Sequence, residues 1–290
     1  MKTEQRWWSS LIIYVLLILL VLITLLPILY TISASFKTNV EIMQGGANLI
    51  PKNPTLENFI IAWTAGSSVG GRQVTFAHYT LNSLQLGCIT MIGTVLFTSM
   101  SAYCFQRGNF PGRKLLYRIF LGTMFVAAGS ITIFPIVQMA AKVKMNNLWG
   151  ASVVQIFTTS ATNLVLTMGY MKTISKEIDE AAKIDGCSFF GIYRLIIMPL
   201  CKPVLATIAL MSFRYAWNDY LLPMVFTLGK TKQHPLVVAI VTLKNFGGEG
   251  ASQYNLLMAG TVFAVLPMII IYLIMNRHFV SGITGGALKG

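Results

Sequence analysis

The chain has 290 residues, of which 55% are apolar and 11% charged, against about one quarter charged in an ordinary soluble domain. So much apolar surface cannot hide inside one water-facing globule, and the composition excludes disordered, collagen-like and disulfide-framework proteins. Lys and Arg number 22 against 9 Asp and Glu, a formal charge of +13, but the basic residues stand between long apolar runs, which reads as membrane placement rather than nucleic-acid binding.

A membrane-crossing helix needs about 20 mostly apolar residues, and six runs qualify. The first, 11–30, follows Lys2, Arg6 and the interfacial pair Trp7-Trp8. Ser33-Ala34-Ser35 resembles a signal cleavage site, but the run exceeds the roughly 7–15 residues of a signal core and predicts an uncleaved anchor. The segment 31–78 holds Pro51, Pro54 and an apolar stretch, Phe59 to Trp63, expected to lie flat at the membrane interface. The second run is 84–105. It is followed by Arg107, Arg113, Lys114 and Arg118 with no acid among them. The third is 119–141.

The fourth run, 151–171, carries Gln155, Thr158, Thr159, Ser160, Thr162 and Asn163. Lipid tolerates that polarity only where it faces other helices or a wet cavity, which makes Asn163 a candidate pore residue. The fifth, 204–227, contains Arg214, Trp217, Asn218 and Asp219, and the sixth is 256–275. These runs predict an all-α, polytopic membrane protein of six transmembrane helices in one domain, 1–290, with both ends on one side. The segments 1–10, 106–118, 172–203 and 276–290 hold thirteen basic residues and the opposite segments eight, which places both termini in the cytoplasm.

No chemistry of its own is encoded. Cys88, Cys104, Cys187 and Cys201 form no C-x-x-C pair, and His78, His234 and His278 are scattered, so no metal site or catalytic residue is expected. Gly229-Lys230-Thr231 lacks the upstream glycine of a phosphate loop, since Met224 stands there. An ion-coupled secondary transporter is the alternative reading. It needs titratable groups across several spans, and Asp219 is the single acid in or beside one. A non-transporting scaffold is a third.

Four of the nine acids crowd between the fourth and fifth runs, in the segment 172–203: Glu177, Asp179, Glu180 and Asp185. The pattern predicts a helix over 176–185, N-capped by Ser175 and stopped in left-handed geometry by Gly186, with its acids on the positive end of the dipole. As a charged helix alone it reads as a solvated connector.

The wording goes further. Glu180-Ala181-Ala182-x-x-Asp185-Gly186, then Ile196-x-Met198-Pro199-Leu200 and Pro203, resembles the EAA loop of the permease subunits of binding-protein-dependent ABC importers. The likeness continues in Leu49-Ile-Pro51-Lys-Asn-Pro-Thr55-Leu-Glu-Asn58-Phe, Asn82-Ser83, Ala102-Tyr103 with Arg107, Trp217-Asn218-Asp219-Tyr220, Leu266-Pro267 and the tail Phe279 to Gly290. It is greatest with carbohydrate permeases of the MalG type. The resemblance implies the type I ABC importer permease fold. Glu180 would meet a basic residue of an ATPase subunit, and Ala181, Ala182, Asp185 and Gly186 would shape the docking surface of a coupling helix. Gly282, Gly285 and Lys289 would reach the interface between the ATPases.

The resemblance also implies the partners: a second, MalF-type permease, two ATPase subunits carrying ATP and Mg, and an extracytoplasmic solute-binding protein met by the loop 243–253. No cofactor or nucleic acid is bound by this chain, whose surroundings are the lipid of a bacterial or archaeal cytoplasmic membrane. Arg214 departs from the pattern. An Arg near the middle of a span costs about 2.5–3.5 kcal/mol on insertion scales, so it is expected either to meet an anionic sugar or to bridge to the partner permease.

Overall fold

The computed structural model describes residues 4–45, 48–64, 68–69, 72–124, 129–244 and 252–287. In chain order the elements are α1 (Glu4–Ser35), α2 (Asn39–Gln44), α3 (Glu57–Thr64), the two-residue strands β1 (Ser68–Val69) and β2 (Arg72–Gln73), α4 (Phe76–Arg107), α5 (Arg113–Gly122), a 3-10 turn (Gly129–Thr132), α6 (Ile133–Lys142) and α7 (Leu148–Met171). There follow α8 (Glu177–Ile184), α9 (Phe189–Ile192), a π-helical turn (Tyr193–Ile197), α10 (Met198–Leu200), α11 (Lys202–Asn218), α12 (Leu221–Phe226), α13 (Leu236–Leu243) and α14 (Tyr254–Ala287). The small antiparallel ladder of β1 and β2 is the one sheet among the described residues.

Four of the six predicted spans are single helices. Among the described residues α1, α4, α7 and α14 are each long and apolar enough to cross a membrane. The third and fifth runs are broken, each a few residues before a proline. Pro135, in the first turn of α6, offers no N–H to the carbonyl of residue 131, and the chain takes a 3-10 turn over Gly129–Thr132 before α6, whereas Pro27 and Pro267 lie inside the continuous helices α1 and α14. Pro223 likewise cannot bond the carbonyl of Asp219, and there α11 gives way to α12. A further bend of 79° separates Phe189–Leu200 from Lys202–Asn218.

The described chain divides into two compact units, Met1–Phe76 with Ala239–Leu266 and Ala77–Val238 with Pro267–Gly290. In the first, the apolar side chains of α1 from Leu11 to Leu26 are exposed, as a helix in lipid requires. Asn58 is the polar knot. Its amide donates to the carbonyls of Ser35 and Lys37, each at 2.8 Å, and its oxygen accepts from Asn255 Nδ2 at 2.7 Å. That anchor turns the stretch expected to lie flat partly inward: Phe59 packs on Phe36 and Phe263 with centroids 5.1 and 5.6 Å apart, while Trp63 stays 48% exposed.

In the second unit the core is built from Leu164, Met168 and Met171 of α7, Ile192, Tyr193 and Ile197, and Val204, Leu205 and Ile208 of α11, with Ala102 and Tyr103 of α4 and Ala182 of α8. Helices α4 and α7 approach so closely at Gly93 that a Cβ there would sit 2.2 Å from Ile156 Cδ1. Small residues at such crossings replace the hydrophobic driving force that lipid removes. The connection 230–236 is stapled to the start of α4. Asn82 Nδ2 donates to the carbonyls of Lys232 and His234 at 2.8 and 2.9 Å, and Ser83 Oγ accepts the Leu236 N–H at 2.7 Å.

Candidate functional site

Helix α8 forms where the acids predict it, with Glu177, Asp179 and Glu180 in its first turn. Its start is one residue tighter than expected: Ser175 Oγ accepts the Glu177 N–H at 3.2 Å, while Lys176 takes the cap position. Its end is a left-handed closure. Gly186 has φ +81°, the Cys187 N–H bonds the Ala182 carbonyl at 2.9 Å, and the Gly186 N–H bonds the Lys183 carbonyl at 3.0 Å. No heavy atom lies within 4 Å of where a Gly186 Cβ would stand, so glycine answers a backbone need here and not a steric one.

The five residues predicted for docking divide by exposure. Glu180, Ala181, Asp185 and Gly186 are exposed, whereas Ala182 is buried in the core beneath the helix. The residue that holds α8 in place is Asp179, which sequence reasoning did not assign. Its Oδ2 lies 2.6 Å from Arg107 Nε, with the two side chains only 7% and 9% exposed. Arg107 Nη2 also donates to the Ile174 carbonyl at 2.8 Å, and Asp179 Oδ1 is buried without a partner among the described residues. A signal existed: the segment after the second run has four cations and no acid, and the segment 172–203 has the crowded acids. Beside the pair an open cleft of about 180 Å³ is lined by Arg107, Arg113, Lys176, Glu180 and Lys183, among others.

The predicted pore residues do not form one surface. Trp217 is 2% exposed and stacks on Phe213 at 5.7 Å between centroids. Asn163 is buried. Asn218 and Arg214 are exposed; Asn218 Nδ2 donates to the Arg214 carbonyl at 2.9 Å. No carboxylate among the described residues pairs with the Arg214 guanidinium, since Arg107–Asp179 is their one ion pair.

Asp219 sits at the break between α11 and α12. Its Oδ2 accepts from Gln155 Nε2 at 2.9 Å, its Oδ1 faces the Leu222 N–H at 3.5 Å, and Gln155 Oε1 accepts from Thr90 Oγ1 at 3.0 Å. Gln155 and Thr90 are fully buried. Part of the polarity of the fourth run is therefore spent on other helices, as lipid demands. Gly282 and Gly285 lie within α14, while Lys289 and most of the predicted contact loop, 245–251, lie outside the described residues.

Comparison with known proteins agrees with this arrangement. The chain is 31% identical over 288 residues to the galactooligosaccharides transport system permease protein GanQ of Bacillus subtilis, covering 99% of this chain and 98% of that one. It is 31% identical over 272 residues to the trehalose transport system permease protein SugB of Mycobacterium tuberculosis, covering 92% and 93%. Among solved structures, one chain of a bacterial ABC transporter involved in the import of the acidic polysaccharide alginate superposes with a TM-score of 0.77 at 25% identity, covering 96% of this chain and 98% of that one. The fold is that of an all-α ABC importer permease, a multi-pass membrane subunit. Residues 94–285 match the binding-protein-dependent transport system inner membrane component, and the chain belongs to that family.

Proposed function

We propose that this chain is one of two membrane subunits of an ATP-driven importer of carbohydrates, an oligosaccharide above all. It lines the translocation path with a MalF-type permease and takes its power from two ATPase subunits docked on α8, with a solute-binding protein on the outer face and both termini in the cytoplasm. ATP and Mg act on the ATPases, and this chain performs no catalysis. The observation that carries the reading is the build of α8. It has a rigid seat, formed by the buried Arg107–Asp179 pair and Ala182, and an open outer surface with Glu180, Ala181, Asp185 and Gly186 free to meet another protein.

Two relatives named for galactooligosaccharide and trehalose transport support the carbohydrate class. The alginate importer and Arg214, which meets no carboxylate among the described residues, support an anionic member of it. Nucleotide closure of the ATPases would push α8, and the helices attached to it would turn the cavity from inward to outward. Replacing Glu180 with Lys tests this. Glu180 is exposed, so the variant should insert and accumulate normally, lose its ATPase subunits on purification and fail to support uptake. Normal uptake by an inserted Glu180→Lys permease would refute the docking role.

A further inference from the structure

Helix α4 presents one line of side chains, Ser99, Tyr103 and Arg107, at i, i+4 and i+8, and all three reach the segment that carries α8. Ser99 Oγ and Tyr193 Oη share a buried hydrogen bond of 2.8 Å. Tyr103 Oη donates to the Phe189 carbonyl at 3.1 Å, with its ring 4.5 Å from that of Phe189. Arg107 pairs with Asp179 at 2.6 Å and holds the Ile174 carbonyl at 2.8 Å. Residues at this spacing share one face of a helix, so the inner third of α4 is riveted to α8, to the start of α9 and to the π-helical turn.

Among the described residues, Arg107–Asp179 is the one side-chain polar link between α8 and a membrane-crossing helix. A buried ion pair resists separation, because parting it leaves two uncompensated charges out of water. We propose, resting on the reading of α8 as the ATPase dock, that α4 is the helix that takes up its displacement. Arg107 is then a positioning residue that makes α8 and α4 move as one body. The ATPase would meet the exposed face of α8, and the pair on its buried face would deliver the motion along α4 to the outer half of the membrane.

The test uses the whole importer, purified with its own ATPase subunits, and spin labels carried on unnatural amino acids at Leu81 and Ile184. Both positions are exposed, near opposite ends of the proposed body. Between the nucleotide-free state and the state trapped with ATP and vanadate, the Leu81–Ile184 distance distribution should stay unchanged in the parent protein. In Asp179→Asn and Arg107→Gln complexes that still retain their ATPases, it should shift or broaden on trapping. Arg107→Lys, which keeps the charge, should restore the narrow distribution.

A distance that changes in the parent protein would overturn the proposal. So would Asp179→Asn behaving as the parent does, or Asp179→Asn losing its ATPases, which would make the pair part of the dock. Absence of both charge-removing variants from the membrane would overturn it as well, by making the pair a folding contact. Retention of ATPases by Glu180→Lys would refute the docking role alone, so the two failures read separately.

Discussion

The backbone leaves helical geometry after α8 and again after α11, and the two departures are built in different ways. The first is closed by backbone alone: Gly186 at φ +81° and two carbonyl–amide bonds complete it, and the side chains around it, Glu180, Ala181 and Asp185, stay exposed. The second adds side chains to a backbone bond from the Asp219 N–H to the Tyr215 carbonyl at 3.1 Å. Asp219 is extended at φ −71° and ψ 124°, and Gln155, Thr90 and the Leu222 N–H account for its carboxylate and the groups around it. Water can satisfy loose polar groups at the first, whereas in a membrane-crossing segment protein must do so. The turn whose side chains are exposed is left open to water, and the turn beside the buried Gln155 is sealed by protein.

The sharpest way to break this contrast is to remove the packing that seals the second turn. Trp217 is 2% exposed and stacked on Phe213, and truncating a buried aromatic of that kind costs about 3–5 kcal/mol. Trp217→Ala should therefore lower the unfolding midpoint in mixed detergent micelles more than any change on α8. A midpoint near that of the parent protein would show that the break does not depend on the stack. Asp219→Ala comes next. It strands the Gln155 amide and uncaps Leu222, and a buried donor left unmade costs about 1–3 kcal/mol. Adding Gln155→Leu together with Thr90→Val, which removes both the stranded amide and the buried hydroxyl that donates to it, should recover part of that loss, since removing all partners costs less than removing one.

Which parts of this were legible beforehand follows from range. A run of 20 apolar residues is a local signal, so α1, α4, α7 and α14 could be read directly. Pro135 and Pro223 are equally visible, but a proline alone does not mark a break, since α1 and α14 run through Pro27 and Pro267, and an apolar count reads the third and fifth spans as unbroken. At α8 the local pattern predicts the helix and the left-handed Gly186, and the family resemblance implies an outward-facing Glu180. The seat was hidden, because Arg107 and Asp179 meet only once α4 and α7 have packed. For the same reason, the polarity of the fourth run called for neighbours without naming Asp219 as the one that Gln155 finds.

On the open turn the expected effects are smaller in stability and larger in function. Gly186→Val forces a β-branched residue into left-handed geometry, a strain of about 1–2 kcal/mol, with no steric clash to add because the Cβ would meet nothing within 4 Å. Its midpoint should fall by less than that of Asp219→Ala, while retention of the ATPase subunits drops markedly. If Gly186→Ala, which strains the backbone without branching, retains them as the parent does, the turn geometry is not what the ATPase reads.

Arg214→Gln should have the smallest effect on the isolated chain. The guanidinium is exposed and meets no carboxylate among the described residues, and surface changes of this kind usually stay within about 0.5 kcal/mol. Its value lies in separating two uses of a charge that is costly in lipid. If it faces the translocation path, the variant should keep its partner permease and lose uptake of anionic oligosaccharides relative to neutral ones. If it bridges to the second permease, co-purification of that subunit should fall while selectivity holds. A variant unchanged in both would mean that Arg214 reaches water or lipid headgroups, and neither role would survive.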